Sequence, residues 1–100
     1  MEALVLDRVD TQEKIETVAA LAKTIWNQHF VPVIGQEQVD YMVEEFQSSP
    51  AIAGQIEQGM EYYLLLVGKE AIGYTAFQQD EGLFISKYYI LQNWRGKGYG

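Results

Sequence analysis

Three apolar, β-rich segments joined by very short turns fill the second half of the chain and restrict its fold more than any other feature. Residues 62–67 are apolar at every position, which is typical of a strand in the middle of a sheet. Residues 71–79 and 83–91 have similar strand-forming character, and the turns before them, at 68–69 and 80–82, contain glycine. Because turns this short connect only antiparallel neighbours, the sequence predicts an antiparallel three-stranded meander.

The first part of the chain has a short strand followed by helical periodicity. Residues 3–6 are an apolar run that predicts a first strand. Asp10 and Glu13 have the spacing of a capping box, which predicts Asp10 as the N-cap of a helix. Apolar side chains then recur at helical spacing as far as Trp26. We expect this first helix to end before Pro32, because proline disfavours helical backbone in the residue that precedes it.

Two more helices are expected before the meander. Gly35 is expected to open the second, and Ser49 and Pro50 have the residue types of an N-cap and a first helical turn for a short third helix. Gly59 is expected to cap its C-terminal end. Within the meander, Gly73 indicates a place where neighbouring backbone approaches closely. The chain is therefore predicted to be a single α+β domain over residues 1–100, with helices packed on an antiparallel sheet.

Charge and composition exclude several classes of function. The 100 residues carry a net charge of −7, which argues against a nucleic-acid partner. There is no cysteine and only one histidine, so no thiolate or multi-histidine metal site is expected. No apolar run approaches the ~20 residues that span a bilayer, and the first residues do not resemble a signal peptide. We expect a cytoplasmic protein with no membrane partner and no metal.

The last six residues contain three closely spaced glycines and two bases. Arg95-Gly96-Lys97-Gly98-Tyr99-Gly100 directly follows the third strand of the meander. Glycines leave backbone N–H groups unshielded, so such a loop can present several donors to one anion, as a phosphate-binding nest does. Neither the P-loop pattern nor the dinucleotide-binding fingerprint is present. The loop therefore predicts a phosphate or pyrophosphate site of another kind.

The spacing Arg95-x-x-Gly98-x-Gly100 after a strand resembles the signature of the GNAT superfamily, the acyl-CoA-dependent N-acetyltransferases. The element order predicted above, a strand, two or three helices and then three antiparallel strands, is also that of the family. The resemblance extends over the whole chain. It implies a GNAT-like β-α-α-β-β-β fold and acetyl-CoA as the acyl donor.

The resemblance also implies the acetyl-CoA-binding residues. Backbone groups of Tyr88, Tyr89 and Ile90 would pair with the pantetheine arm of acetyl-CoA and orient the thioester carbonyl. The pyrophosphate would be held by the glycine loop, whose residues are Arg95, Gly96, Lys97, Gly98, Tyr99 and Gly100. Tyr88 and Tyr89 must face opposite sides of their strand, and the pattern leaves open which of them faces the core.

The acceptor site is less well defined by the sequence. The resemblance places the loop between the first two helices beside the acceptor, so Trp26, His29, Phe30 and Tyr41 are weak candidates for binding it. His29 is expected just past the first helix and could steer or deprotonate an amine. Trp26 is more typical of a core residue, and Tyr41 and Glu44 are more typical of a solvated helix edge.

The functional prediction is N-acetyl transfer from acetyl-CoA to a small amine or a peptide amine. A primary amine would attack the thioester directly, which agrees with the absence of cysteine. The catalytic group stays undecided, with His29, Tyr88 and Tyr89 as weak candidates.

The end of the chain carries a second expectation. The family continues beyond the glycine loop, so the chain is expected to be the N-terminal portion of such a domain, lacking the C-terminal part of the fold and inactive by itself. The alternative is a non-catalytic interaction domain that associates, for example as a homodimer, through the exposed edge of strand 83–91.

Overall fold

A four-stranded antiparallel sheet with its strands in sequential order is the frame of the computed structural model, which describes residues 3–79 and 83–94. The strands are β1 (Leu4–Arg8), β2 (Met60–Val67), β3 (Glu70–Gln79) and β4 (Leu83–Ile90). Between β1 and β2 the chain forms the helices α1 (Gln12–Ile34), α2 (Gln36–Phe46) and α3 (Ser49–Glu57), and a 3-10 turn (Gln92–Trp94) follows β4. The α+β class, the meander and the central position of β2 are confirmed.

Close backbone contact at Gly73 is confirmed as well. Gly73 lies opposite Ile90 in the register of β3 and β4. A Cβ atom added to Gly73 would overlap the carbonyl oxygen of Tyr89 and lie 2.9 Å from the Cα of Ile90. The turn at 68–69 is present, with Gly68 at a φ of 63°. The predicted turn at 80–82 lies outside the described residues.

Both predicted N-caps are displaced by one residue. Thr11, not Asp10, caps α1, because its side-chain oxygen accepts the N–H of Lys14 at 3.2 Å. Asp10 instead pairs with the Lys14 ammonium at 3.4 Å. Ser48, not Ser49, caps α3 by accepting the N–H of Ala51. In each case two adjacent residues have oxygen-bearing side chains, and the one that directly precedes the first helical residue becomes the cap, because its oxygen reaches the free N–H of the third helical residue.

Helix α1 does not end before Pro32, so that prediction is wrong. The helix runs through Pro32 to Ile34 and ends at Gly35, whose φ is 89° and whose N–H donates to the Val31 carbonyl at 2.9 Å. Pro32 is exposed and lies in the last helical turn. A proline there removes one backbone hydrogen bond close to a helix end, where carbonyls already lack partners. Gly35 also precedes α2, as predicted, and Gly59 follows α3 at a φ of 104°.

The main core lies between the three helices and one face of the sheet. Its fully buried side chains include Val18, Ile25, Val39, Ile52 and Tyr74. A smaller cluster, Leu65, Val67, Ile72 and Ile90, is buried on the opposite face. No helix in the described part of the chain is long and apolar enough to cross a membrane.

Candidate functional site

Strand β4 presents an unpaired edge within the described sheet. It is the last strand in the order and pairs only with β3 among the described elements. The N–H of Leu91 donates to the Ile72 carbonyl at 2.8 Å. Because the peptide groups of neighbouring residues alternate across an antiparallel ladder, those of Tyr88 and Ile90 point away from β3. The outward donors and acceptors on this segment therefore belong to Tyr88 and Ile90, whereas the peptide groups of Tyr89 point toward β3.

The side chains of Tyr88 and Tyr89 face opposite sides of the sheet. The structure decides which of them faces the core, a question that the sequence left open. Tyr89 faces the helices, with its ring centroid 6.0 Å from that of Trp26 and 5.4 Å from that of Tyr74. Burial raises the pKa of the Tyr89 phenol above its ordinary value of 10.0. Tyr88 faces the other side of the sheet and is 41% exposed.

A polar cluster that sequence reasoning missed lies under the helices, directly before these tyrosines. Lys87 of β4 extends its amine inward, where it donates to Gln47 Oε1 at 3.4 Å, to Gln55 Oε1 at 3.0 Å and to the Tyr62 hydroxyl. Tyr62 in turn donates to Gln55 Oε1, and Tyr74 donates to Gln47 Oε1 at 2.9 Å. We call Lys87, Gln47, Gln55, Tyr62 and Tyr74 the lysine cluster.

The lysine cluster holds an amine among neutral oxygens. The ion pairs found among the described residues involve Arg8 and Lys14 but not Lys87. Burial lowers the pKa of the Lys87 ammonium from 10.5 to about 8, since the charged form loses water without gaining a counter-charge. Burial also raises the pKa of the Tyr62 and Tyr74 phenols well above 10.0, so both hydroxyls stay protonated and able to donate.

One feature of the sequence could have indicated that Lys87 points inward. Residues alternate sides along a strand, so Lys87 shares a face with Tyr89. Its glutamine partners, however, lie 40 and 32 residues earlier in the chain, Gln47 directly after α2 and Gln55 within α3, and no local pattern connects them to it.

The cluster predicts an unusual pH dependence of stability. The folded pKa of Lys87 lies below its unfolded value, so the folded state prefers the neutral amine. The free energy of unfolding should therefore rise as the pH rises from about 8 toward 10.5. Lys87→Met keeps the apolar stem and leaves both glutamine oxygens paired with tyrosine hydroxyls, so we expect it to melt at a higher temperature than the wild type at pH 7.

Thermal melting of the two proteins between pH 7 and 9.5 measures this effect, because their difference cancels the titration of other groups. The gap in melting temperature should narrow as the pH rises. A gap that is constant over this range would contradict a titrating Lys87.

The predicted acceptor residues are only partly brought together. The Trp26 and Phe30 rings are 4.4 Å apart, and the His29 ring lies 5.7 Å from that of Phe30. His29 lies within α1 rather than just past it, because α1 continues through Pro32. Trp26 is 8% exposed and belongs to the main core cluster. Trp26 is thus mainly a core residue, as the sequence analysis expected.

Tyr41 lies apart from these rings. It belongs to α2 and is 57% exposed, so it is a surface residue of that helix. Glu44 lines a small cavity of about 220 Å³ between α1 and α2, together with Lys23, Asn27, Asp40 and Val43. No group of three or more potential metal ligands occurs within residues 3–79 and 83–94.

The glycine loop cannot be placed in this geometry. Arg95, Gly96, Lys97, Gly98, Tyr99 and Gly100 all lie outside the described residues. Of the residues that the sequence predicts to bind acetyl-CoA, the structure describes Tyr88, Tyr89 and Ile90, at the end of β4 that leads toward this loop.

Comparison with solved structures identifies the fold. The chain superimposes on the crystal structure of PaiA N-acetyltransferase from Thermoplasma acidophilum in complex with coenzyme A with a TM-score of 0.79, over 95% of this chain. The chain has the fold of the N-terminal part of a GNAT N-acetyltransferase. The expected GNAT fold is thus confirmed, although the two sequences are only 13% identical.

The GNAT likeness is structural only. This chain spans 63% of the length of the Thermoplasma chain. No protein-family model matches the sequence, and no curated protein matches it either.

Proposed function

We propose that the protein is an N-acetyltransferase that transfers the acetyl group of acetyl-CoA to a primary amine. The observation that carries the proposal is the combination of a GNAT fold with a β4 edge that is unpaired within the described sheet and leads into a glycine-rich, basic segment. The structurally similar Thermoplasma N-acetyltransferase is in complex with coenzyme A. A cytoplasmic location and an amine acceptor, either a small amine or a peptide, are part of the same proposal.

The edge of β4 has the groups that an extended amide-containing ligand requires. The peptide groups of Tyr88 and Ile90 alternate donor and acceptor along the strand, so they can pair with the pantetheine amides as an added strand would. A backbone N–H on this edge can also stabilise the oxyanion that forms when the amine attacks the thioester. Backbone N–H groups of residues 96–100 would hold the pyrophosphate. The amine nitrogen then bonds to the acyl carbon and gives up a proton, the carbon–sulfur bond breaks, and the leaving thiolate takes up that proton.

Calorimetric titration with acetyl-CoA tests the proposal, on protein expressed from its complete reading frame. We expect saturable binding, and release of free CoA thiol when a panel of primary amines and lysine peptides is added. A matched reaction with the amines but without protein sets the background.

One other outcome favours the alternative function. The unpaired β4 edge within the described sheet and the exposed Tyr88 on it are also features of a strand-pairing surface. A protein that binds no acetyl-CoA and dimerises in solution would support the interaction domain and contradict acetyl transfer.

A further inference from the structure

The lysine cluster is an unfavourable way to stabilise a core. Gln47, Tyr62 and Tyr74 are 3%, 1% and 0% exposed, and an amine placed among them pays for lost hydration without a carboxylate to offset it. A methionine at position 87 would fill the same space without that cost. Since the cluster does not serve stability, its geometry points to another role.

Lys87 is fixed at both its side chain and its backbone. Its amine has three N–H donors when protonated, and three oxygens, those of Gln47, Gln55 and Tyr62, receive them. Its carbonyl accepts a hydrogen bond from Thr75 Oγ1 at 2.7 Å. Thr75 itself is 2% exposed, and this second attachment is partly buried, like the first.

These attachments hold β4 where its register changes. Ala76 of β3 lies opposite Lys87, but the next residue, Phe77, lies opposite Ile85. β4 therefore carries one extra residue at this point, which is a β-bulge. A bulge bends its strand and determines where the following residues point, and the residues that follow are those with outward peptide groups, Tyr88 and Ile90.

We propose that Lys87 is a positioning residue, whose ammonium, held by Gln47, Gln55 and Tyr62, fixes the bulge of β4 so that the peptide groups of Tyr88 and Ile90 meet the acyl donor in one geometry. This inference rests on the proposed function. Lys87 touches no reacting atom in this role. It acts through the backbone of β4.

The protonation state of Lys87 controls this attachment. A neutral amine has only two N–H donors, so one of the three oxygens loses its bond and the attachment loosens. The other described titratable groups around the cluster are the phenols of Tyr62, Tyr74 and Tyr89, and burial raises the pKa of each. Gln47, which directly follows α2, and Gln55 of α3 contribute the amide oxygens, and α1 contributes Trp26, which packs on Tyr89. Of these groups in and around the cluster, Lys87 is the one expected to change charge near pH 8.

The test compares acetyl-CoA affinity and thermal stability at pH 7 and pH 9 in the wild type, Lys87→Met and a control. The control is Lys69→Met, which removes the same charge from an exposed residue in the turn between β2 and β3. At pH 7 we expect Lys87→Met to bind acetyl-CoA about tenfold more weakly than the wild type, because a small misplacement of binding groups is costly. Lys69→Met should bind as the wild type does.

The pH dependence distinguishes positioning from a purely structural role. From pH 7 to 9 the affinity of the wild type should fall while its melting temperature rises, and the affinity of Lys87→Met should stay constant. Unchanged affinity in a folded Lys87→Met, or affinity and stability that move together, would overturn the positioning role and leave the proposed function intact. If the wild type itself binds no acetyl-CoA, both the proposed function and this inference are wrong.

Discussion

Gly73→Ala is expected to lower the free energy of unfolding by about 3 kcal/mol, a large fraction of the stability of a small domain. The added Cβ would overlap the Tyr89 carbonyl oxygen and approach the Ile90 Cα to 2.9 Å. Both atoms belong to the backbone, so the overlap can be removed only if β3 and β4 move apart. Thermal and urea unfolding followed by circular dichroism measure the loss, which should lower the melting temperature by about 15 °C.

Gly54→Ala is the matched control. Gly54 lies inside α3, and an added Cβ there has no atom within 4 Å outside its own helix. Alanine favours helix over glycine, so this variant should be more stable by up to about 1 kcal/mol. If both variants melted within a few degrees of the wild type, the close approach of β3 and β4 would not be a constraint on the fold.

The second large effect is expected at the glycine loop. Gly98→Val should weaken acetyl-CoA binding by about a hundredfold, the loss of roughly two hydrogen bonds to a charged group. A valine side chain would either exclude a positive φ or push the pyrophosphate away from the backbone N–H groups. Gly98 lies outside the described residues, so this prediction depends on the sequence pattern and on the proposed function. Calorimetric titration with acetyl-CoA measures it.

Lys97→Ala is the comparison for Gly98→Val. A solvated charge contributes about 0–1 kcal/mol, so this variant should lose less than about fivefold in affinity. Melting curves without ligand separate a folding defect in Gly98→Val from a binding defect. An equal loss of affinity in the two variants, with folding intact, would mean that side-chain charge rather than backbone holds the cofactor.

Local signals were sufficient for most of the fold. The meander depends on apolar runs and turn lengths, both of which are properties of neighbouring residues, and the structure confirms it. The errors occurred where two local signals competed. Asp10 and Thr11 both have capping side chains, and the choice of Thr11 depends on which oxygen reaches the Lys14 N–H. Pro32 is a signal for a helix end, but Gly35, three residues later, is the stronger signal, and α1 ends there.

For the candidate site, too, local sequence signals predicted some features, and tertiary contacts decided the others. The glycine spacing after a strand carried the family resemblance, and the resemblance implied acetyl-CoA and residues 88–90, because the backbone of one continuous segment would do the binding. Alternation along β4 required Tyr88 and Tyr89 to face opposite sides, but could not say which was inside. Contacts with Trp26 and Tyr74 decided it in favour of Tyr89.

By itself, the sequence determined the class of fold, the order of its elements and the strand that leads to the glycine loop, because short-range periodicity and turn chemistry specify all three. Only the tertiary structure decided the environment of Lys87. Its partners Gln47, which directly follows α2, and Gln55, within α3, lie 40 and 32 residues away, and they reach one amine only when both helices pack on the sheet. The hydration and hydrogen bonding of a buried charge depend on every element around it, so the chemistry of Lys87 follows from the packed fold and not from its place in the chain.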